Sequence, residues 1–373
     1  MTIQKNKKVF NSDLPLLFNT EIVVDKLNGY LFSEESFYVI DDFFLPLFDT
    51  TSKDIKHGIE NKFFITALES NKTFSTVQKI LDKMFSLNIH RNTKIVAIGG
   101  GLTLDIAAFC ASIYKRGCEL WFIPTTIIAM IDASIGGKTG VNIDSENIGY
   151  RKEKNDFQNN IENKNKCLKL KNQIGTFYPA NKVILDFSLL KTLPENEIKN
   201  GYAELIKMMI IAERNFFNHE FGFIKENLSD FIIKAMKYKL SICSKDLSDK
   251  GQRQYLNLGH TYAHLFETIS DFRISHGNAV AKGLKLALNF SLTKGLLSFE
   301  NYNLFLSFLD EFCNDIQFSE IEIENIKNKG EIILISDKKA DIKLKLVLVN
   351  NISVEFYSVE NIQEIINFII KNV

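Results

Sequence analysis

Three of the six histidines fall within seventeen residues of one another: His260, His264 and His276. In Gly259-His260-Thr261-Tyr262-Ala263-His264 the two imidazoles are four residues apart, which puts them on one face of a helix about one turn apart. His276, in Ser275-His276-Gly277, reads as a bend before the next helix, so the chain can fold it back beside them. Imidazole suits zinc, whose catalytic sites take three protein ligands and keep one position open, and a carboxylate would complete such a set. From the residues alone, a metal site and a merely solvent-facing or core group of histidines both stay open. Arg253, seven residues before His260, and Lys207, three after Glu204, would turn a metal site into an anion pocket. Gly99-Gly100-Gly101 follows a run of strand character and precedes one of helical character. Backbone without Cβ can approach a pyrophosphate there, although a tight turn fits equally well. Ile135-Gly136-Gly137-Lys138-Thr139-Gly140 lacks the GxxxxGK[ST] spacing of a nucleoside triphosphate loop.

The elements that must position these residues divide the chain. Residues 36–40, 94–98 and 119–123 are β-branched and aromatic, and they end on Asp41-Asp42, Gly99-Gly100-Gly101 and Pro124-Thr125-Thr126. Residues 73–85 and 105–115 read as helices between them, which predicts a parallel α/β sheet with ligand groups at its strand ends. After Pro194, apolar residues recur at helical spacing through 198–212, 228–244, 256–269 and 279–292. The expectation is an α/β nucleotide-binding domain over 1–192 and a mainly α-helical domain over 193–373 that carries the metal site. A hairpin over 342–357 turns at Asn350-Asn351. Residues 143–170, rich in lysine and asparagine, predict a mobile surface insertion.

Lys+Arg and Asp+Glu number 45 each, so nothing global steers the protein toward nucleic acid or an anionic membrane, and any basic site must be a local pocket. No apolar run approaches the ~20 residues of a membrane helix. The first residues lack the apolar stretch of a signal peptide. Five scattered cysteines without a CxxC pair read as reduced thiols of a cytoplasmic protein.

From about Tyr38 to Asp337 the order of motifs resembles the 3-dehydroquinate synthase family, sugar-phosphate cyclases of the shikimate pathway. The resemblance is carried by Glu69-Ser70-Asn71-Lys72, Gly99-Gly100-Gly101 with Asp105, Tyr114-Lys115-Arg116-Gly117 and Pro124-Thr125-Thr126. It continues through 132–142 (DASIGGKTGVN), 171–175 (KNQIG), 201–207 (GYAELIK), Arg253, 257–261 (NLGHT), His264, His276-Gly277 and Asp337-Lys338-Lys339. It implies Glu204, His260 and His276 as ligands of Zn2+ or Co2+, with His264 a phosphate contact. It implies Asp132, Lys138, Asn172, Lys207, Lys239, Arg253, Asn257 and Lys338 around a sugar-phosphate substrate. Arg116 would reach the partner's site in a homodimer. Asp41 or Asp42, Glu69, Lys72, Gly99, Gly100, Gly101, Asp105, Thr125 and Thr126 would hold NAD. The implied reaction is transient oxidation, phosphate elimination, re-reduction and aldol closure, without net redox. A cyclase of another substrate such as sedoheptulose 7-phosphate, a metal-dependent polyol dehydrogenase and a non-catalytic scaffold are the alternatives. Leu104 and Ala108 stand where the family usually has glycine, and Asn278 where it has glutamate. Leu104 is expected to crowd the cofactor.

Overall fold

The computed structural model describes residues 8–10, 20–27, 35–45, 61–145, 168–336 and 344–373. Eleven strands are seen among them. β1 (Lys8–Phe10), β2 (Glu21–Val24), β3 (Ser36–Asp41), β4 (Lys62–Ile65), β5 (Lys94–Gly99) and β6 (Leu120–Pro124) are followed by β7 (Val141–Ser145), β8 (Leu168–Ile174) and β9 (Lys182–Leu185). β10 (Lys345–Val349) and β11 (Val354–Ser358) come last. One sheet has the order β1-β2-β9-β6-β5-β3-β4, parallel throughout except for β1 on its edge.

Strands covered on both faces must be apolar on both, and period-two alternation sorts their side chains. Phe37, Val39, Ile95, Ala97, Leu120, Phe122, Val183 and Leu185 face the main core, while Tyr38, Ile40, Val96, Ile98, Ile123 and Ile184 face a smaller one. The Phe74–Ser86 helix starts where Thr73 Oγ1 accepts from Thr76 N, and it buries Val77, Ile80 and Met84 at helical spacing. The Gly101–Ile113 helix is buried along most of its length, Leu104 included. Leu104 points into the core, so the expected crowding of the glycine run is not what this leucine does.

The later half is mostly helical, and the main core runs into it without interruption. At its centre the Glu195–Ala212 helix is buried without a break from Asn200 to Ile210. Two boundaries differ from the sequence reading. Residues 252–257 form a 3-10 turn, and the next helix begins only at His260 because Gly259 takes φ +76°. His276 opens the His276–Thr293 helix, with Ser275 before it, rather than lying in a bend. The hairpin forms as β10 and β11, with Asn350 Oδ1 accepting from Ile352 and Ser353. Of the expected insertion, 143–145 and 168–170 belong to the antiparallel pair β7–β8, and 146–167 lie outside the described residues. No helix among the described residues is long and apolar enough to cross a membrane.

Candidate active site

The chain runs from β3 outward to β4, crosses back to β5 on the other side of β3, and continues to β6. The direction of winding therefore reverses between β3 and β5, and in open α/β sheets that crevice, at the carboxyl ends of the strands, is where ligands bind. The expected nucleotide residues lie along this edge. Asp41 ends β3, Glu69 and Lys72 follow β4, Gly99 ends β5 with Gly100 and Gly101 after it, and Thr125 and Thr126 follow β6. A Cβ on Gly99 would stand 2.8 Å from Thr103 Cβ and 3.0 Å from Asp41 Cβ, which explains that glycine. Gly100 precedes the Gly101–Ile113 helix with no side chain capping it, so the first N–H groups are open to an anion. Asp41 accepts from Phe43 N, and burial pushes its carboxyl up against that bond. Asp42 accepts from Thr66 Oγ1. Lys72 is buried and donates to Asp105 Oδ2 and Asn172 Oδ1, both at 2.6 Å. That contact brings the β8 residue Asn172, at φ +52°, onto the same edge.

Across from this edge, three elements bring Glu204, His260 and His276 together, with ligand atoms all within 4.8 Å of one another. Glu204 lies in the buried run of the Glu195–Ala212 helix, and Oε1 is 3.2 Å from His260 Nε2 and 3.3 Å from His276 Nε2. Oε2 is 2.6 Å from Lys207 Nζ, one turn on. The carboxylate is thus fully buried and ion-paired with Lys207, while neither oxygen has an aligned hydrogen bond, which leaves lone pairs for a further partner. Such a group is costly unless something else takes its lone pairs. The imidazoles are pre-set for that partner. Leu258 O can only accept, so His260 Nδ1, 3.2 Å away, carries the proton. His276 Nδ1 faces Glu267 Oε1 at 3.1 Å in the same way. Both Nε2 atoms therefore turn toward Glu204, the arrangement in which a backbone carbonyl or a carboxylate orients a ligating imidazole. One carboxylate and two imidazoles fit a divalent metal with open positions.

The electrostatics agree. Burial opposes charge on Glu204, but Lys207 and His260 hold its carboxyl well below the usual range. Burial and Lys207 push His260 down to about 4, so it is neutral at pH 7. Burial would lower His276 too, yet Glu267 and Glu204 overcome it and raise it to about 10 without metal.

A cationic group flanks this centre. Lys239 donates to the carbonyl and carboxylate of Asp132, and despite burial Lys239 and Lys207 bring Asp132 down to about 2. Asp132 sits in a π turn over Ala129–Ala133, an uncommon geometry that recurs at functional sites. Lys138, half exposed, pairs with Asp249. Desolvation of its buried half lowers its ammonium, Asp249 opposes this, and the nearby charges of Arg253 and Lys239 add to the lowering. Arg253, buried, donates to Gly136 O at 3.0 Å and Leu247 O at 2.9 Å, so this cation also ties two loops together. Asn257 ends the turn that leads to His260. The His264 ring is 5.6 Å from that of His260, outside the triad. Arg116 is exposed, and both it and Lys115 have positive φ, at +67° and +45°. Lys338 lies outside the described residues. Two residues with no assigned part in the sequence reading, Glu267 and Lys171, are built into the site. Glu267 is seven residues after His260, on the same helical face, but a lone glutamate at that spacing is too common to single out.

The sheet edge and the metal-type triad together define the class of α/β enzymes in which a parallel sheet's switch-point crevice meets a helical half with a candidate metal centre. Over almost its whole length the chain shares this fold with 2-deoxy-scyllo-inosose synthase, solved with carbaglucose-6-phosphate, NAD+ and Co2+ (TM-score 0.74, 21% identity, 99% of this chain and 100% of that one). Residues 62–151 match the family profile described as 3-dehydroquinate synthase N-terminal, and residues 201–340 its C-terminal counterpart. The 3-dehydroquinate synthase of Coxiella burnetii is 32% identical over 366 residues, 94% of each chain. That of Campylobacter hominis is 33% identical over 299 residues, 79% of each. The chain belongs to the 3-dehydroquinate synthase family.

Proposed function

We propose that this chain converts 3-deoxy-D-arabino-heptulosonate 7-phosphate to 3-dehydroquinate and phosphate, with NAD oxidised and restored in each turnover. The observation that carries this reading is the buried Glu204, without an aligned hydrogen bond at either oxygen and faced by the Nε2 atoms of two imidazoles, beside a group of cations. Glu204, His260 and His276 would hold Zn2+ or Co2+, and 1–192 would serve as the nucleotide half and 193–373 as the metal half. When bound, the metal supplies Lewis acidity to a substrate hydroxyl, and the nicotinamide accepts and returns the hydride.

The rest is the work of the chain. Lys138, Lys207, Lys239, Arg253 and Lys338, with Asn172, Asn257 and His264, orient the carboxylate and phosphate ends of the substrate. Charge-assisted donors are suited to both groups, and fixed cations need no reorganisation as charge moves. Asp132 holds Lys239 in place. A homodimer in the cytoplasm completes the reading, Arg116 reaching the neighbouring site from its exposed turn. Mixing Arg116→Ala with Lys207→Ala chains is then expected to restore part of the activity that each lacks alone, and no restoration would remove the intersubunit role. Steady turnover should release phosphate from the heptulosonate phosphate faster than from sedoheptulose 7-phosphate, which has no carboxylate. The reverse preference would make this a cyclase of another sugar phosphate.

A further inference from the structure

The contacts that orient His276 do not stop at Glu267. The oxygen that faces His276 Nδ1 also accepts from Lys171 Nζ at 2.8 Å. Lys171 Nζ is 3.5 Å from Glu69 Oε1, and that oxygen accepts from Asn142 Nδ2 at 2.7 Å. A single ammonium on β8 is thus shared between a carboxylate of the metal-type centre and one on the nucleotide edge.

Glu267 is 1% exposed and its other oxygen has no partner, so its charge rests on these contacts. The Phe272 ring lies 5.0 Å over the Lys171 ammonium. At this ring, Asp271 and Phe272 both take left-handed backbone, φ +47° and +62°. Two such residues in a row without glycine store backbone strain of a kind found where the surroundings require it. The turn is closed by Phe272 N donating to Glu267 O at 2.9 Å. An aromatic cover and a low local dielectric strengthen the charges beneath.

We propose that Lys171 and Glu267 are positioning residues that couple the two sites, so that nucleotide and metal bind cooperatively. A nucleotide engaging Glu69 changes how Lys171 divides its charge, and with it the hold of Glu267 on His276. This rests on the reading that the two sites take NAD and a divalent metal, and by linkage each ligand must then shift the other's affinity by the same factor.

The test measures binding without turnover. NADH affinity is titrated by fluorescence with and without Co2+, and Co2+ affinity with and without NADH, in the wild type, Glu267→Gln and Lys171→Met, with circular dichroism to establish folding. In the wild type each ligand is expected to change the other's affinity at least about fivefold. Glu267→Gln should weaken Co2+ about 10–100-fold, as loss of a group orienting a ligand does. Both variants should bring the coupling ratio close to one, even where Lys171→Met also weakens NADH directly. An uncoupled wild type, a wild-type Co2+ affinity in Glu267→Gln, or wild-type coupling in either folded variant would overturn the bridge. If Co2+ and NADH bind cooperatively while the heptulosonate phosphate is left unchanged, the proposed reaction falls and the bridge stands.

Discussion

His260 and His276 flank one carboxylate yet are held in different protonation states. His260, at about 4, has already lost its extra proton at neutral pH, whereas His276, at about 10, keeps it in the metal-free protein. A metal ligand must be neutral imidazole, so binding at this site must displace a proton from His276 and none from His260. Metal affinity is therefore expected to rise about tenfold per pH unit between roughly pH 6.5 and 8.5. Calorimetric titration with Co2+ in two buffers of different ionisation heat should count about one proton released at pH 7.5. A count of zero, or of two, would contradict this account of the pair. At this scale the sequence was generous, because two of the three grouped side chains lie in a short histidine-rich stretch and Glu204 came with the family resemblance. What it concealed were partners brought together by the fold: Lys171 and Glu267 are 96 positions apart, and neither type nor spacing links them.

Between helices, the triad depends on how closely two of them approach. A Cβ on Gly277 would stand 2.3 Å from Asn200 Cα and 2.4 Å from Asn200 O, so the His276–Thr293 helix touches the Glu195–Ala212 helix through bare backbone. Ser275 Oγ donates to Asn200 Oδ1 at 2.7 Å beside it. Gly277→Ala should force the helices apart, destabilise the protein by about 1–3 kcal/mol as overpacking does, and draw His276 away from Glu204. Gly222, where an added Cβ meets nothing within 4 Å, provides the control. Urea denaturation and Co2+ titration check both, and an unchanged midpoint and metal affinity in Gly277→Ala would refute the close-contact account. The strands and most helices were legible because parallel strands buried on both faces are continuously apolar and amphipathic helices repeat. The start of the helix at His260 was not, since a left-handed Gly259 interrupts an unbroken apolar pattern. The pairing of β7 with β8 was also hidden, because two short alternating runs, VNIDS and LKLKNQI, are separated by a long polar stretch and nothing local names them as partners.

Taken as a whole, the molecule sets the switch-point edge of its sheet against a metal-type centre, with β8 reaching both through Asn172 and Lys171. The sheet and helical halves share one hydrophobic core, which suits a reaction whose hydride must leave and return to the same carbon without relocation of the substrate. That reversible redox step is the central claim, and a single turnover tests it most directly. Protein loaded with NAD and Zn2+ is mixed with a substoichiometric amount of 3-deoxy-D-arabino-heptulosonate 7-phosphate, and NADH absorbance, phosphate and product mass are followed together. The account predicts that any NADH signal returns to baseline, with one phosphate released and one dehydroquinate formed per substrate. NADH that accumulates one for one with substrate, or substrate recovered unchanged, would contradict it.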